Sequence, residues 1–164
     1  VHTLAQLLDR LVESGIDFVL IGGYAAVLHG SSQVTQDLDI CAVLTEENVG
    51  RLRDALRDLD PRHRMTAEKV SFLDQPPPGT SMRNLYLRTR IGVVDILTEV
   101  TGVGDYARLR EKAQRVMFGG REVQLISLDD LIAAKEALAR GKDLVTAKEL
   151  RVIALRSNNP PKIV

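Results

Sequence analysis

Apolar positions follow two rhythms along the chain. Leu4, Leu7, Leu8, Leu11 and Val12 recur at steps of three and four, which predicts an amphipathic helix capped by Thr3 and ended by Ser14-Gly15. The run 17–21 is continuously apolar after Asp17 and reads as a buried strand, broken by Gly22-Gly23. Residues 24–29 have the composition of a short helix that Gly30 stops. A second strand is expected over 38–44. A helix with an acidic first turn (Glu46, Glu47) follows, carrying Leu52, Ala55, Leu56 and Leu59 on one side and closed by Pro61.

Residues 63–72 are expected to form a short edge strand, and the proline-rich stretch 75–79 a loop. Two neighbouring strands, 84–89 and 92–100, are separated by a turn near Arg90. Residues 105–117 read as a helix, Gly119-Gly120 as a turn and 122–126 as a short strand. Ser127-Leu-Asp-Asp130 has a capping signature ahead of a helix over 131–139. Gly141 is expected to interrupt it before a last helix over 142–155 and a polar tail over 157–161. This mixture predicts an α/β (α+β) domain around one sheet, residues 1–126 as the core and 127–164 as a C-terminal helical extension of the same domain.

The 164 residues suit one domain, and 45% hydrophobic residues can bury one substantial core without staples. With aromatics at only 4%, that core must be aliphatic. Twenty-two basic and 22 acidic residues cancel, so bulk charge gives no support to nucleic-acid binding, although charge segregated on the surface would still permit it. Cys41 is the sole cysteine and lies in an apolar stretch, where packing is the expected role and an intrachain disulfide is impossible. No apolar run reaches the ~18–20 residues of a membrane span. Val1-His2-Thr3 does not open a basic-then-apolar leader, so a cytoplasmic location is expected.

Candidate chemistry concentrates between Ile21 and Ile40. Gly22 and Gly23 allow close approach of backbone to a ligand, and the following helix start presents unpaired N–H groups to phosphate. Asp37 and Asp39, two apart on a strand, share one face while Leu38 and Ile40 enter the core. Two such carboxylates repel each other unless a cation lies between them, which points to a divalent metal. Either feature alone is commonly a turn or a solvated strand; their succession is what carries the reading. Asp95, inside Val93-Val-Asp-Ile-Leu97, is costly to bury uncompensated and is expected either to complete a three-carboxylate metal set or to pair with Arg88 or Arg90.

These strings resemble the nucleotidyltransferase superfamily with the DNA-polymerase-beta-like fold. Gly22-Gly-Tyr-Ala, His29-Gly30 and Thr35-Gln-Asp-Leu-Asp-Ile40 are similar to the small bacterial nucleotidyltransferases that include the AbiEii and MenT-type toxins. So are Ser127-Leu-Asp-Asp-Leu-Ile-Ala-Ala-Lys135 and Arg140-Gly-Lys-Asp143, and the resemblance spans residues 15–153. It implies a mixed sheet flanked by helices. It also implies transfer of NMP from an NTP, ATP among them, to an acceptor hydroxyl on tRNA or a protein, with two Mg2+ ions and, in a toxin setting, a cognate antitoxin. Gly22 and Gly23 would cradle the triphosphate, Lys135 and Lys142 would contact it, and Asp37, Asp39 and Asp95 would hold magnesium, with Asp95 also helping to activate the hydroxyl. Gln33 departs from the group, which often places a basic residue there.

Other assignments compete at several positions. Lys135 and Lys142 share a helix face only if Gly141 does not break the helix. Asp143 is expected to cap the last helix, His29 to pack under its loop, and the basic run Arg51, Arg53, Arg57, Arg62 and Arg64 to form a solvated face rather than an RNA surface. A small-molecule acceptor of the antibiotic type and a non-catalytic nucleotide-binding module are the alternative functions. Dehydrogenase, serine-hydrolase, P-loop and zinc-site readings fail for want of their motifs or ligands.

Overall fold

The computed structural model describes residues 2–158. Its elements run α1 (His2–Glu13), β1 (Phe18–Ile21), α2 (Gly22–Leu28), β2 (Asp37–Ala42), α3 (Glu46–Leu56), a 3-10 turn (Arg57–Leu59), β3 (Arg62–His63), β4 (Asn84–Thr89), β5 (Gly92–Leu97), β6 (Glu99–Val100), β7 (Gly104–Asp105), α4 (Tyr106–Lys112), β8 (Gln114–Phe118), β9 (Arg121–Leu125), α5 (Leu128–Leu138) and α6 (Gly141–Asn158). A seven-stranded mixed sheet has the order β3-β4-β5-β2-β1-β9-β8, and β6-β7 form a separate hairpin. Parallel pairing joins β2 to β5 and β1 to β9; the other neighbours are antiparallel.

Strand alternation decides what each face does. Leu38 and Ile40 of β2, Val94 and Ile96 of β5, and Leu85 and Leu87 of β4 are buried on one face. There α1 and α3 cover them with Leu4, Leu7, Leu8, Leu11, Leu52 and Leu56, an aliphatic core as the composition requires. The opposite face carries Asp37, Asp39, Tyr86 and Asp95 at its open part. Cys41, at its other end, is fully buried, and burial pushes its thiol up to about 12, which leaves it a packing residue. Leu131, Ile132, Ala134 and Leu150 tie α5 and α6 into the same core.

Several expectations need correction. The helix over 105–117 ends at Lys112; residues 114–118 instead form β8, hairpinned onto β9 through Gly119 and Gly120. Both glycines have positive φ (56° and 80°), the two-residue turn that suits a twisted hairpin. The edge strand over 63–72 shrinks to β3 plus a bridge from Arg62 to Ser71. Thr3 lies inside α1 rather than capping it. The break between the last helices falls at Ala139, in left-handed geometry, and Gly141 opens α6. The tail expected over 157–161 lies outside the described residues from 159 onward, and Ser157 and Asn158 are still helical. Among the described residues no helix is long and apolar enough to cross a membrane.

Candidate active site

Parallel pairing of β2 with β5 sets Asp39 directly beside Asp95, and Asp37 lies two residues before Asp39 on the same face. The three candidate carboxylates therefore gather on one patch of sheet. Asp37 is exposed, Asp39 half-buried and Asp95 only 7% exposed. Burial, with Asp95 and Asp37 alongside, pushes Asp39 up to about 6, against the pull of Lys135 and Arg64. Burial also raises Asp95, opposed by Arg64.

Asp95 has an ion-pair partner, but neither Arg88 nor Arg90 supplies it. Arg64 Nε donates to Asp95 Oδ1 at 3.0 Å and its Nη2 donates to Oδ2. The backbone explains the choice: Arg64 N donates to the Tyr86 carbonyl, and Tyr86 is the register partner of Asp95, so Arg64 reaches over the Tyr86 ring (5.4 Å) to the carboxylate. Arg88 pairs in register with Val93 and stays exposed at the edge. Arg64 had been grouped with a solvated basic run. Only the pairing of its strand segment with β4 separates it from Arg57 and Arg51, which do sit on exposed helix pairs.

Gly22 closes the other side of the carboxylates. Its φ is +71°, and a Cβ there would lie 2.3 Å from Asp39 Oδ2, so both conformation and space demand glycine. A Cβ on Gly23 would meet Gln33 Nε2 at 2.5 Å and Thr35 Oγ1 at 2.9 Å. Gln33 is in turn tethered, since Thr146 Oγ1 of α6 donates to its Oε1 at 3.0 Å. His29 Nε2 donates to the Ile126 carbonyl at 2.7 Å, a structural strut under the loop.

A cleft of about 220 Å³ opens beside Gly22 and Asp39. Leu97, Val100, Leu131 and Leu138 give it an apolar wall, and Lys135 and Arg140 its cations. Lys135 Nζ lies 3.4 Å from Asp143 Oδ1, and Arg140 Nε lies 2.5 Å from Asp143 Oδ2. Asp143 thus pairs with two cations instead of capping α6. Burial pushes it up, but Arg140 and Lys135 outweigh that and hold it below the ordinary carboxylate range. Lys142 lies exposed in the first turn of α6 and does not line the cleft. The structure thus brings Gly22, Asp39 and Lys135 to one cleft with Asp37 and Asp95 alongside, and leaves Lys142 outside it. Arg64, Tyr86 and Arg140 join the site without having been singled out. Alternation on β4 was the signal that could have placed Tyr86.

The donor set is hard-oxygen and anionic, the chemistry a magnesium ion selects. Asp39's raised proton affinity comes first from burial and then from the neighbouring Asp95 and Asp37. Among the described residues no group of three or more His, Cys, Asp or Glu side chains is already set to hold a metal, and Arg64 engages the third carboxylate. Asp37 and Asp39 are the carboxylates of this patch without an ion-pair partner among the described residues, while Asp95 is engaged by Arg64.

Neither a protein-family model nor a curated protein matches this chain by sequence. Solved structures do match. The lincosamide antibiotic adenylyltransferase LnuA, with lincomycin bound, superposes with a TM-score of 0.60 at 17% identity, over 93% of this chain and 96% of that one. The antibiotic-resistance factor ANT(2'')-Ia gives 0.56 at 15% identity, over 96% and 93%. A Thermotoga maritima protein described as a nucleotidyltransferase gives 0.54 at 18% identity, over 90% and 89%. Likeness at such identities is likeness of fold, and the fold of this chain is that of the nucleotidyltransferases.

Proposed function

We propose that this chain is a metal-dependent nucleotidyltransferase that moves a nucleoside monophosphate from an NTP to an acceptor hydroxyl. The observation that carries the reading is the register of Asp39 with Asp95, with Asp37 on the same face, backed by a glycine that admits no side chain. In this reading Asp37, Asp39 and Asp95 hold magnesium, and the NTP occupies the Gly22–Lys135 cleft, its base against the apolar wall. Lys135 and Arg140 face the phosphates, with Gly22 and Gly23 at their back; Lys142 needs a movement of α6 to join them. Bound magnesium supplies charge compensation for the triphosphate and eases deprotonation of the acceptor.

The acceptor oxygen bonds to the α-phosphorus, the α–β anhydride bond breaks, and pyrophosphate leaves. In this reading Asp95, once exchanged from Arg64, helps to activate the acceptor hydroxyl by taking its proton. The protein's contribution is position and charge rather than covalent chemistry. ATP is the first nucleotide to test, because LnuA is an adenylyltransferase. The toxin-type resemblance supports tRNA or a protein as acceptor, with an antitoxin as partner; the lincomycin on LnuA supports a small-molecule hydroxyl. Incubation with α-labelled NTPs, magnesium or manganese and a total tRNA pool tests the reading. Label on RNA, on protein or on an added small alcohol, lost in Asp37→Ala, is the expected result. Equal labelling by wild type and Asp37→Ala would refute it.

A further inference from the structure

A second cavity, of about 470 Å³, opens at the β3–β4 edge of the sheet, on the far side of Asp95 from the nucleotide cleft. Arg62, Arg64, Lys69, Arg88 and Arg90 line it, with Asp60 as its only carboxylate. Asp60 accepts from Arg62 Nε at 3.0 Å, and Arg64 is held by Asp95. Lys69, Arg88 and Arg90 have no carboxylate within ion-pair distance among the described residues. Lys69 Nζ donates to the carbonyls of Arg64 and Thr66 (2.7 Å each), Arg90 donates to the carbonyl of Asp58, and the Arg88 side chain makes no hydrogen bond among the described residues. With Arg62 and Arg64 so paired, three cations, Lys69, Arg88 and Arg90, are left without a counter-charge, a local excess in a chain whose net charge is zero. Holding like charges together is unfavourable unless an anion neutralises them.

The cavity also stands in a telling direction. Along the sheet the order is Gly22 and the cleft, then Asp39, Asp95, Tyr86, and then this cavity, with Arg64 belonging both to its lining and to the Asp95 pair. In-line transfer requires the attacking oxygen opposite the leaving pyrophosphate. With the triphosphate in the Lys135 cleft, an acceptor approaching over β4 meets the α-phosphorus from the required side. A guanidinium fork and an ammonium free of carboxylates match phosphate oxygens, and they repel a cationic acceptor such as an aminosugar.

We propose that this cavity is an acceptor subsite that seats a phosphate group, so that the molecule modified is phosphorylated, as a phosphodiester strand or a small phosphate ester. The proposal rests on the nucleotidyltransferase reading for its direction, though anion binding itself is tested without catalysis. The probe is a fluorescein-labelled single-stranded oligoribonucleotide, followed by anisotropy at low and moderate salt, with unlabelled nucleoside monophosphate and inorganic phosphate as competitors. Arg88→Glu is the first variant, because the Arg88 side chain makes no hydrogen bond among the described residues; Lys69→Glu is the second. Arg121→Glu, on the exposed Glu13 pair of the opposite edge, controls for general charge.

Oligoribonucleotide affinity lowered about tenfold by Arg88→Glu and not by Arg121→Glu, with a shallower salt dependence, supports the subsite and a phosphodiester acceptor. Absence of oligoribonucleotide binding, with nucleoside monophosphate bound by wild type and lost in Arg88→Glu, supports it and a small phosphate ester. Equal loss in Arg121→Glu, or no effect of either cavity variant on any of these anions, overturns it. Manganese-dependent ATP binding in the same samples keeps the two claims apart. Its persistence beside a null anion result defeats the subsite alone, and its absence in wild type defeats the nucleotidyltransferase reading together with the acceptor role.

Discussion

Two flanks of the carboxylate patch differ sharply in how they use positive charge. On the α5–α6 side, Lys135 and Arg140 both pair with Asp143, which is 1% exposed, and the surrounding wall is aliphatic. On the β3–β4 side, Lys69, Arg88 and Arg90 line an open cavity without carboxylate partners among the described residues. The first arrangement is built into the fold and stiffens the cleft. In the second, Lys69 and Arg90 hold backbone carbonyls, while the Arg88 guanidinium is left to meet a ligand. Sequence position does not reveal which cation belongs to which class; the pairing of strands and helices does.

Removing the patch between the flanks has the largest expected effect. Asp37→Ala should lower label transfer by about 10³-fold or more while leaving the melting temperature near that of wild type, because Asp37 is exposed and buries no partner. Near-normal transfer would move the catalytic centre elsewhere and dissolve the distinction between the flanks. Next comes the contrast in stability. Lys135→Met leaves Asp143 buried with one cation instead of two and should cost about 3 kcal/mol in urea unfolding. Arg88→Met should stay within about 0.5 kcal/mol, since the exposed Arg88 side chain holds no partner. Similar costs for both would show that Arg88, too, is a structural cation.

Much of the patch was legible from Asp37, Asp39 and Asp95, because strand alternation and an acid amid apolar residues are local signals. Their register was not: parallel pairing of β2 with β5 joins segments more than fifty residues apart, and nothing local specifies it. Arg64 was hidden for the same reason, its role arising from β3–β4 pairing. The helix expected over 105–117 failed because Val116, Met117 and Phe118 suit either element, and the Gly119-Gly120 turn then supplies β9 as a hairpin partner. Asp143 reads locally as a cap, and only the packing of α5 against α6 turns it into a buried counter-ion.

Asp39 offers a prediction of intermediate size. Its native affinity for a proton is raised, to a pKa of about 6 from an ordinary 3.8. The folded state therefore binds the proton more tightly than the unfolded chain. Any stability tied to that proton is present below about pH 4 and lost as pH rises through 6. Asp39→Asn, which stays neutral, should accordingly stabilise the metal-free protein by about 2 kcal/mol at pH 8 and by almost nothing at pH 4. Magnesium should narrow the difference by stabilising wild type only. Melting curves at the two pH values, with and without magnesium, check this; a gain at pH 4 equal to that at pH 8 would assign it to packing.

The smallest effect concerns Gln33, which packs against Gly23. Its Nε2 faces Gly23, and its Oε1 accepts from Thr146, so it backs the glycine pair and anchors the loop to α6. Gln33→Lys places a cation beside Gly23, at the loss of one neutral hydrogen bond. Stability should fall by about 1 kcal/mol, and manganese–ATP affinity should rise several-fold, the scale of one added charge-assisted contact. Calorimetric titration with thermal melts separates the two. Tighter binding would make the α5–α6 flank a phosphate site short of one charge. A stability loss with unchanged affinity would make Gln33 a loop anchor only, and would leave Lys135 and Arg140 as the cleft's phosphate-facing cations.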